Sequence, residues 1–385
     1  MTKLFDVIVL GVGGVGSAAL FHLARRGLRV LGIDQYGVAH DRGSSHGETR
    51  AIRKAYFEHP DYVPLLERAY ENWFRLEAEA NIPGRLLVRQ GILEIGPPEG
   101  ILIRGLRHAS DRYDLLLEEV EERAFRERFA GFDLPHGNVA VYEPDGGFLH
   151  VELCIRTHVE QARIQGAQLL LGQKVLTWKD AGGSVELETT DGIFLADKLV
   201  VTAGAWTTQI LGQLGLPLRV LRKHLHWYEV KQGDYAGSEG SPVFFYERPS
   251  GYFYGFPCLN GESPFPSAIK VAEHSGGETL SDPHHRGNQK DLAEVVRVEQ
   301  FLSDCMPAVS HKARGHTTCM YTMSPDEHFI IDCHPDTDRV VFAAGLSGHG
   351  FKFASVLGEV LADLAESGQT EMPIGFLRLD RFRTS

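Results

Sequence analysis

The 385-residue chain is poor in cysteine: five residues, at 154, 258, 305, 319 and 333, with no CxxC pair. An odd set without paired spacing argues against a disulfide framework and against a zinc cluster, and no metal is expected. Reduced thiols packed as small hydrophobes are the default. No apolar run approaches the length of a membrane span, so no membrane association is expected. No Lys/Arg cluster is large enough for a phosphate backbone, and the net charge of −12 opposes nucleic-acid binding. Met1-Thr-Lys runs straight into a strand pattern with no room for a leader, which makes a cytoplasmic location the expectation. Internal repeats, low-complexity tracts and long flexible linkers are also missing, which predicts interwoven domains.

What is present fits a soluble enzyme: 43% hydrophobic and 23% charged residues, in a length that accommodates two or three domains. Phe5 to Leu10 reads as a buried strand, Gly11-Val-Gly13-Gly-Val-Gly16 follows at once, Ser17 to Arg26 reads as a helix, and a second strand over Leu28 to Ile33 closes on Asp34. In such a unit Gly11 makes the tight turn, Gly13 lets the backbone approach a pyrophosphate, and Gly16 lets helix pack on strand. The pyrophosphate then meets helix N–H groups. Asp34 is placed to accept from a ribose diol and to repel a 2′-phosphate, favouring FAD or NAD over NADP. A GxGxxG alone is weak; placed between strand and helix and followed by an acid, it is strong.

Farther along, residues 61–80 carry a helical apolar period. A second α/β block begins near Val151, with a helix to about Gln165, a strand over Ala167–Leu171, alternation at 184–189 and an apolar strand from Leu199 to Thr202. From about residue 218 the texture becomes aromatic alternation: Leu225 to Val230, Val243 to Glu247 and Tyr252 to Tyr254, the last two joined by a hairpin turn at Pro249-Ser-Gly251. That pattern predicts an antiparallel sheet with one covered face. Arg339 to Ala344 is another buried strand, followed by Gly345-Leu-Ser-Gly-His-Gly350 and a helix from about Phe353 to Ser367. Ligands of open α/β sheets bind at the carboxyl ends of strands, so this turn and the N-terminal glycines should face one crevice. It also reads as an ordinary strand-to-helix connection.

The run Gly43-Ser-Ser-His-Gly-Glu-Thr-Arg50-Ala-Ile-Arg53 reads as a ligand-facing loop. Two arginines three apart share a face if the segment turns helically, and an arginine suits bidentate grip of a carboxylate. Either alone is more often a surface ion pair.

Taken together, these segments resemble the monomeric sarcosine oxidase and N-methyltryptophan oxidase family of FAD-dependent amine oxidases. The residues that carry the resemblance are the glycine fingerprint with Asp34, Ser45-His-Gly-Glu-Thr-Arg50 with Arg53, Tyr254-Gly-Phe-Pro257, Lys270 with His274, Cys319-Met-Tyr321, Asp326-Glu-His-Phe-Ile-Ile-Asp332 and Ser347-Gly-His-Gly-Phe-Lys352-Phe353. The stretch Phe351 to Glu359 and Ser324-Pro-Asp-Glu look more like the N-methyltryptophan branch. The resemblance implies an α/β protein, α+β overall. A Rossmann-like, glutathione-reductase-type FAD domain is expected from residues 1–84, 150–217 and 318–385. A substrate domain with a mixed or antiparallel sheet is expected from 85–149 and 218–317.

It also implies roles. Gly11, Gly13, Gly16, Asp34, Ser45, His46, Thr49, Arg50, Val175, Gly345, Gly348, Gly350 and Lys352 would hold FAD, with Cys319 joined to the flavin 8α-methyl through a thioether. Thiol attack requires an accessible Cys near positive charge, and Arg314 and His316 are the cations closest in sequence. Lys270 would promote the reaction of reduced flavin with oxygen, since a fixed cation stabilises developing superoxide. The alternative is a strand-edge lysine reaching solvent. Arg53 and Lys352 would clamp the substrate carboxylate, Arg50 would lie close to the flavin, and His274 and Tyr254 would line the substrate side.

The implied reaction is oxidative demethylation of a secondary N-methyl amino acid by a monomeric enzyme. The amine gives a hydride equivalent to flavin, the imine hydrolyses to formaldehyde and the primary amino acid, and oxygen becomes hydrogen peroxide. Other readings stay open: the same fold acting on a cyclic imino acid or a glycated amino acid, an NAD-dependent dehydrogenase, or a non-catalytic flavin-binding protein. Two departures bear on the substrate: Lys54 follows Arg53 where the family pattern leads one to expect His, and a long Pro-rich connection, Gly255 to Pro266, precedes Lys270.

Overall fold

Buried strands that read as continuous apolar runs form the centre of a parallel sheet, because helices cover both faces of such a sheet. In the computed structural model, which describes residues 5–230, 235–259 and 263–382, Phe5–Leu10 lies in parallel between Val30–Asp34 and Gly192–Val201. Gln168–Leu171 extends this sheet beyond Val30–Asp34, and Val340–Ala344 joins in parallel beside Gly192–Val201. Gly192–Val201 is longer than the apolar Leu199–Thr202 segment: its early residues pair antiparallel with Val185–Thr189, which pairs in turn with Val175–Asp180. Gly14–Arg25 packs against both Val151–Ile164 and Ala354–Ser367. The helix starts at Gly14 rather than Ser17, so the glycine loop is itself the first turn.

The aromatic alternation builds a second, nine-stranded sheet. Its order is Glu278–Leu280, Arg219–Val230, Ala268–Glu273, Gly251–Phe256, Val243–Arg248, Ile92–Gly96, Val139–Glu143 and Glu118–Glu119, with Val309–Met323 also paired to Arg219–Val230. Val243–Arg248 and Ile92–Gly96 are parallel, and the other pairs are antiparallel. The expected hairpin forms, with Arg248 opposite Gly251. Buried aromatics from this sheet and from the helix Leu292–Cys305 make its core, including Phe244, Tyr246, Phe253 and Phe301.

A third, three-stranded sheet is formed by Thr49–Ile52, Gly147–His150 and Leu87–Val88. It bears on one expectation: the segment from Thr49 to Ile52 that carries Arg50 is extended, not helical, and Arg53 follows directly after its end. We propose the three-segment and two-segment domain division with one seam moved. Val309–Met323 is one continuous strand of the nine-stranded sheet, so a boundary at 318 falls inside it.

Candidate active site

Strand Phe5–Leu10 ends at Gly11, whose φ of +90° is the left-handed region and where a Cβ would lie 2.6 Å from the Thr202 carbonyl oxygen. A Cβ on Gly16 would come within 1.8 Å of the Gly11 carbonyl oxygen, so helix and loop touch through backbone alone. Gly13 is different: nothing lies within 4 Å of the corresponding point. The loop therefore offers bare backbone to whatever fills the space in front of it. Asp34 accepts from the backbone N–H groups of Val12 and Tyr36 at 2.7 and 2.8 Å, which ties the glycine loop to the second strand. A carboxylate has about four lone-pair directions, so capacity remains for a ligand.

In front of this loop is a cavity of about 420 Å³ that both ends of the chain line. Of the residues named from sequence, Gly11, Gly13, Asp34, Ser45, Arg50, Arg53, Val175, Tyr254, His274, Gly345, Gly348, Gly350 and Lys352 face it. Gly16, His46, Thr49, Lys270 and Cys319 are not among its lining residues. His46 is buried against the Arg286 guanidinium at 3.2 Å, and the Thr49 carbonyl receives hydrogen bonds from Lys270 and Arg50.

The two arginines do separate things. Arg50 is held by the carbonyls of Thr49 and Ser44, both at 2.8 Å. Arg53 donates to Glu58 at 3.1 and 3.2 Å, has its Nε 3.2 Å from Glu94, and lies over the rings of Tyr56 and Phe57 at 5.0 and 4.8 Å. Against the burial that disfavours its charge, Glu58 and then Glu94 hold Arg53 above its ordinary range. Lys352 donates to the His349 carbonyl at 3.0 Å and to the Tyr56 hydroxyl at 3.3 Å. Burial, reinforced by Arg53, pushes its ammonium down to about 7. Tyr56 and His349 are joined at 2.6 Å. Glu58, Glu94, Tyr56 and His349 were not foreseen. Two of them left a trace: Glu94 as an acid inside the apolar run Ile92 to Ile95, and His349 within the segment Ser347 to Phe353 that carries the family resemblance.

Behind the cavity sit the two chemically unusual residues. Lys270 is 2% exposed, which excludes a lysine reaching solvent; its Nζ donates to the carbonyls of Gly47 and Thr49 at 2.7 Å each and lies 4.1 Å over the Phe256 ring. Burial, then the neighbouring Arg50, depresses it well below the usual lysine range. Cys319 is buried, which raises its thiol, while Arg50, Lys223, Arg286 and Lys270 all pull the other way. The positive charge thus comes from four distant segments and not from the sequence neighbours. Arg314 reaches Glu229, and His316, three residues back along a strand, lies on the opposite face against His224 at 2.9 Å. Tyr321 links His274 at 3.3 Å and Tyr254 at 3.5 Å. Burial, then Lys223, lowers His274 to about 3, so its imidazole is neutral.

Residues 6–364 match the family described as FAD dependent oxidoreductase, DAO. The chain belongs to this family. It is 36% identical over 386 residues to "Monomeric sarcosine oxidase" of Bacillus sp. (strain B-0618), covering 99% of this chain and 97% of the relative. It is 37% identical over 381 residues to "N-methyl-L-tryptophan oxidase" of Yersinia pestis (strain Pestoides F), covering 98% and 100%. Among solved structures it is similar to NikD, "an unusual amino acid oxidase essential for nikkomycin biosynthesis", at 26% identity and a TM-score of 0.85 over 98% of each chain. Glycine oxidase from Geobacillus kaustophilus shares the fold, with a TM-score of 0.82 at 17% identity.

FAD, the cofactor of the family, fits the residues present. The unobstructed approach at Gly13, the residual acceptor capacity of Asp34 and the extent of one cavity lined by both Val175 and Lys352 suit a long dinucleotide. Lys54 turns away from this site, to Asp145 at 2.8 Å, so its departure from the family pattern does not reach the cavity. The Pro-rich connection lies partly outside the described residues; its Phe265 packs on Trp227 at 5.0 Å. No helix among the described residues is long and apolar enough to cross a membrane.

Proposed function

We propose that this protein is a monomeric, cytoplasmic flavin oxidase that demethylates a secondary N-methyl amino acid of the sarcosine or N-methyl-L-tryptophan type. The products are the primary amino acid, formaldehyde and hydrogen peroxide, and the FAD is bound covalently through Cys319. One observation carries the reading: two buried cations, Arg53 and Lys352, drawn from opposite ends of the chain, line the same cavity as the glycine loop. The near-full-length similarity to oxidases of those two names supports the substrate class.

When bound, FAD supplies the acceptor for a hydride equivalent and the route by which two electrons reach oxygen. Arg53 and Lys352 grip the carboxylate and orient the amine-bearing carbon, which selects amino acids over simple amines. Neutral His274 and the Tyr254–Tyr321 pair form the wall against the amine, where an uncharged imidazole does not repel it. Lys270 and Arg50 place positive charge where reduced oxygen species develop. Cys319, among four cations, is the thiol for flavin attachment.

The test is an absorption spectrum repeated on pellet and supernatant after acid precipitation, then a peroxide assay across N-methyl amino acids. Yellow colour in the pellet and peroxide release from sarcosine or N-methyl-L-tryptophan are expected. Colour only in the supernatant would overturn the covalent link. Turnover of a cyclic imino acid or a glycated amino acid in their place would move the substrate class.

A further inference from the structure

The strand Ile92–Gly96 buries an acid among apolar residues: Ile92, Leu93, Glu94 and Ile95 are each 0% exposed. Neither carboxylate oxygen of Glu94 has a hydrogen-bond donor, and its near cation is Arg53, with Nε 3.2 Å from Oε1. The charged groups that face it are Arg53 and Glu58 from the segment after Thr49–Ile52, Glu143 from the end of Val139–Glu143, and Lys352 from the turn Phe351–Phe353. Glu143 is engaged by the backbone N–H groups of Lys54 and Ala55 at 2.7 and 3.0 Å. Glu58 lines the cavity. Glu94 has neither backbone donors nor access to the cavity, and relies on Arg53.

A carboxylate buried without donors is tolerable as an anion only while its counter-ion is committed to it. A ligand carboxylate in the cavity draws on the same guanidinium. We propose that Glu94 competes with the ligand carboxylate for Arg53, so that tight binding of the ligand requires a proton on Glu94. This rests on the reading that Arg53 grips the substrate carboxylate. Glu94 acts through Arg53 and is a positioning residue. Burial, opposed by Arg53, pushes its carboxyl up to about 8, which puts the competition in the mildly alkaline range.

The experiment titrates the flavin-loaded protein with methoxyacetate, a carboxylate in which an ether oxygen replaces the amine, and follows the flavin absorbance from pH 6 to pH 9. Wild type and Glu94→Gln are compared. Loss of the Lys352 proton weakens binding in both proteins, and because the Glu94 charge also supports that ammonium, the ratio of their Kd values is read at pH 6 and pH 9, on either side of the Lys352 titration. The ratio should stay within about twofold at pH 6, while the variant binds about tenfold tighter at pH 9, one unit above the Glu94 value. A ratio that does not change with pH overturns the inference and leaves the carboxylate clamp standing. Absence of methoxyacetate binding to either protein at every pH overturns the clamp, and the inference with it. Should Glu94→Gln not fold, Glu94→Leu removes the charge at similar volume and is read the same way.

Discussion

Two regions around the cavity are built on opposite principles. The glycine loop is backbone: Gly11 and Gly16 meet neighbouring carbonyls where a Cβ would stand, Gly13 meets open space, and the nearby carboxylate of Asp34 accepts from two N–H groups. The region around Arg53 is side-chain charge taken out of water: Arg53, Glu94 and Lys352 are buried with Tyr56 and His349, and burial first, then their neighbours, set their charges. A backbone cradle depends on its glycines and on the Asp34 carboxylate that ties it to the second strand. A buried charge cluster is sensitive at every member, because removing one charge strands its partner.

The largest effect is expected behind the cavity, where neither region reaches. Cys319→Ser should abolish acid-stable flavin while leaving FAD bound by the loop, read as yellow colour moving from pellet to supernatant. Retained covalent flavin would refute the Cys319 assignment. Lys270→Met should slow oxidation of reduced flavin by oxygen by roughly 10²–10³-fold, the scale of losing one preorganised electrostatic contact, with flavin reduction little changed in anaerobic stopped flow. Unchanged oxygen reactivity would leave Lys270 a structural residue.

Smaller effects sharpen the pH side of the comparison. The Lys352 ammonium, depressed to about 7, is charged below that pH and neutral above it. Carboxylate binding should therefore weaken as pH rises through 7, seen as an increasing KM, and Lys352→Met should remove that dependence and lower kcat/KM at pH 6 by roughly 10- to 100-fold. A wild-type KM flat from pH 6 to 8 would place the clamp elsewhere. Smallest of all should be His316→Ala, since His316 lies on the sheet face away from Cys319: covalent flavin should form as in wild type. Loss of attachment would return the sequence neighbours of Cys319 to the chemistry.

How much was legible follows from the range of each interaction. The glycine fingerprint, the strands around it and the final strand-turn-helix are local patterns, readable because a buried parallel strand and a glycine-opened helix each need particular residues within a dozen positions. Resemblance extended this to Lys270, Cys319, Arg53 and Lys352, without their partners. Arg50 and Arg53 line one cavity without the helical turn that was the condition for their sharing a face: Thr49–Ile52 pairs with Gly147–His150, and Arg53 follows the end of that strand. Closeness in sequence did not identify the cations around Cys319: a strand alternates faces, and Arg314 and His316 found other partners.

The sequence by itself determined the dinucleotide loop and the strands and helix around it, since each is set by neighbours in the chain or by steric needs of the backbone. Only the tertiary structure decided which charges meet. Arg53 with Glu94, Lys352 with Tyr56 and Cys319 with Arg50, Lys223, Arg286 and Lys270 join segments that only folding brings together. Electrostatic energy inside a protein depends on distance and on exclusion of water, and neither is defined until the chain has packed.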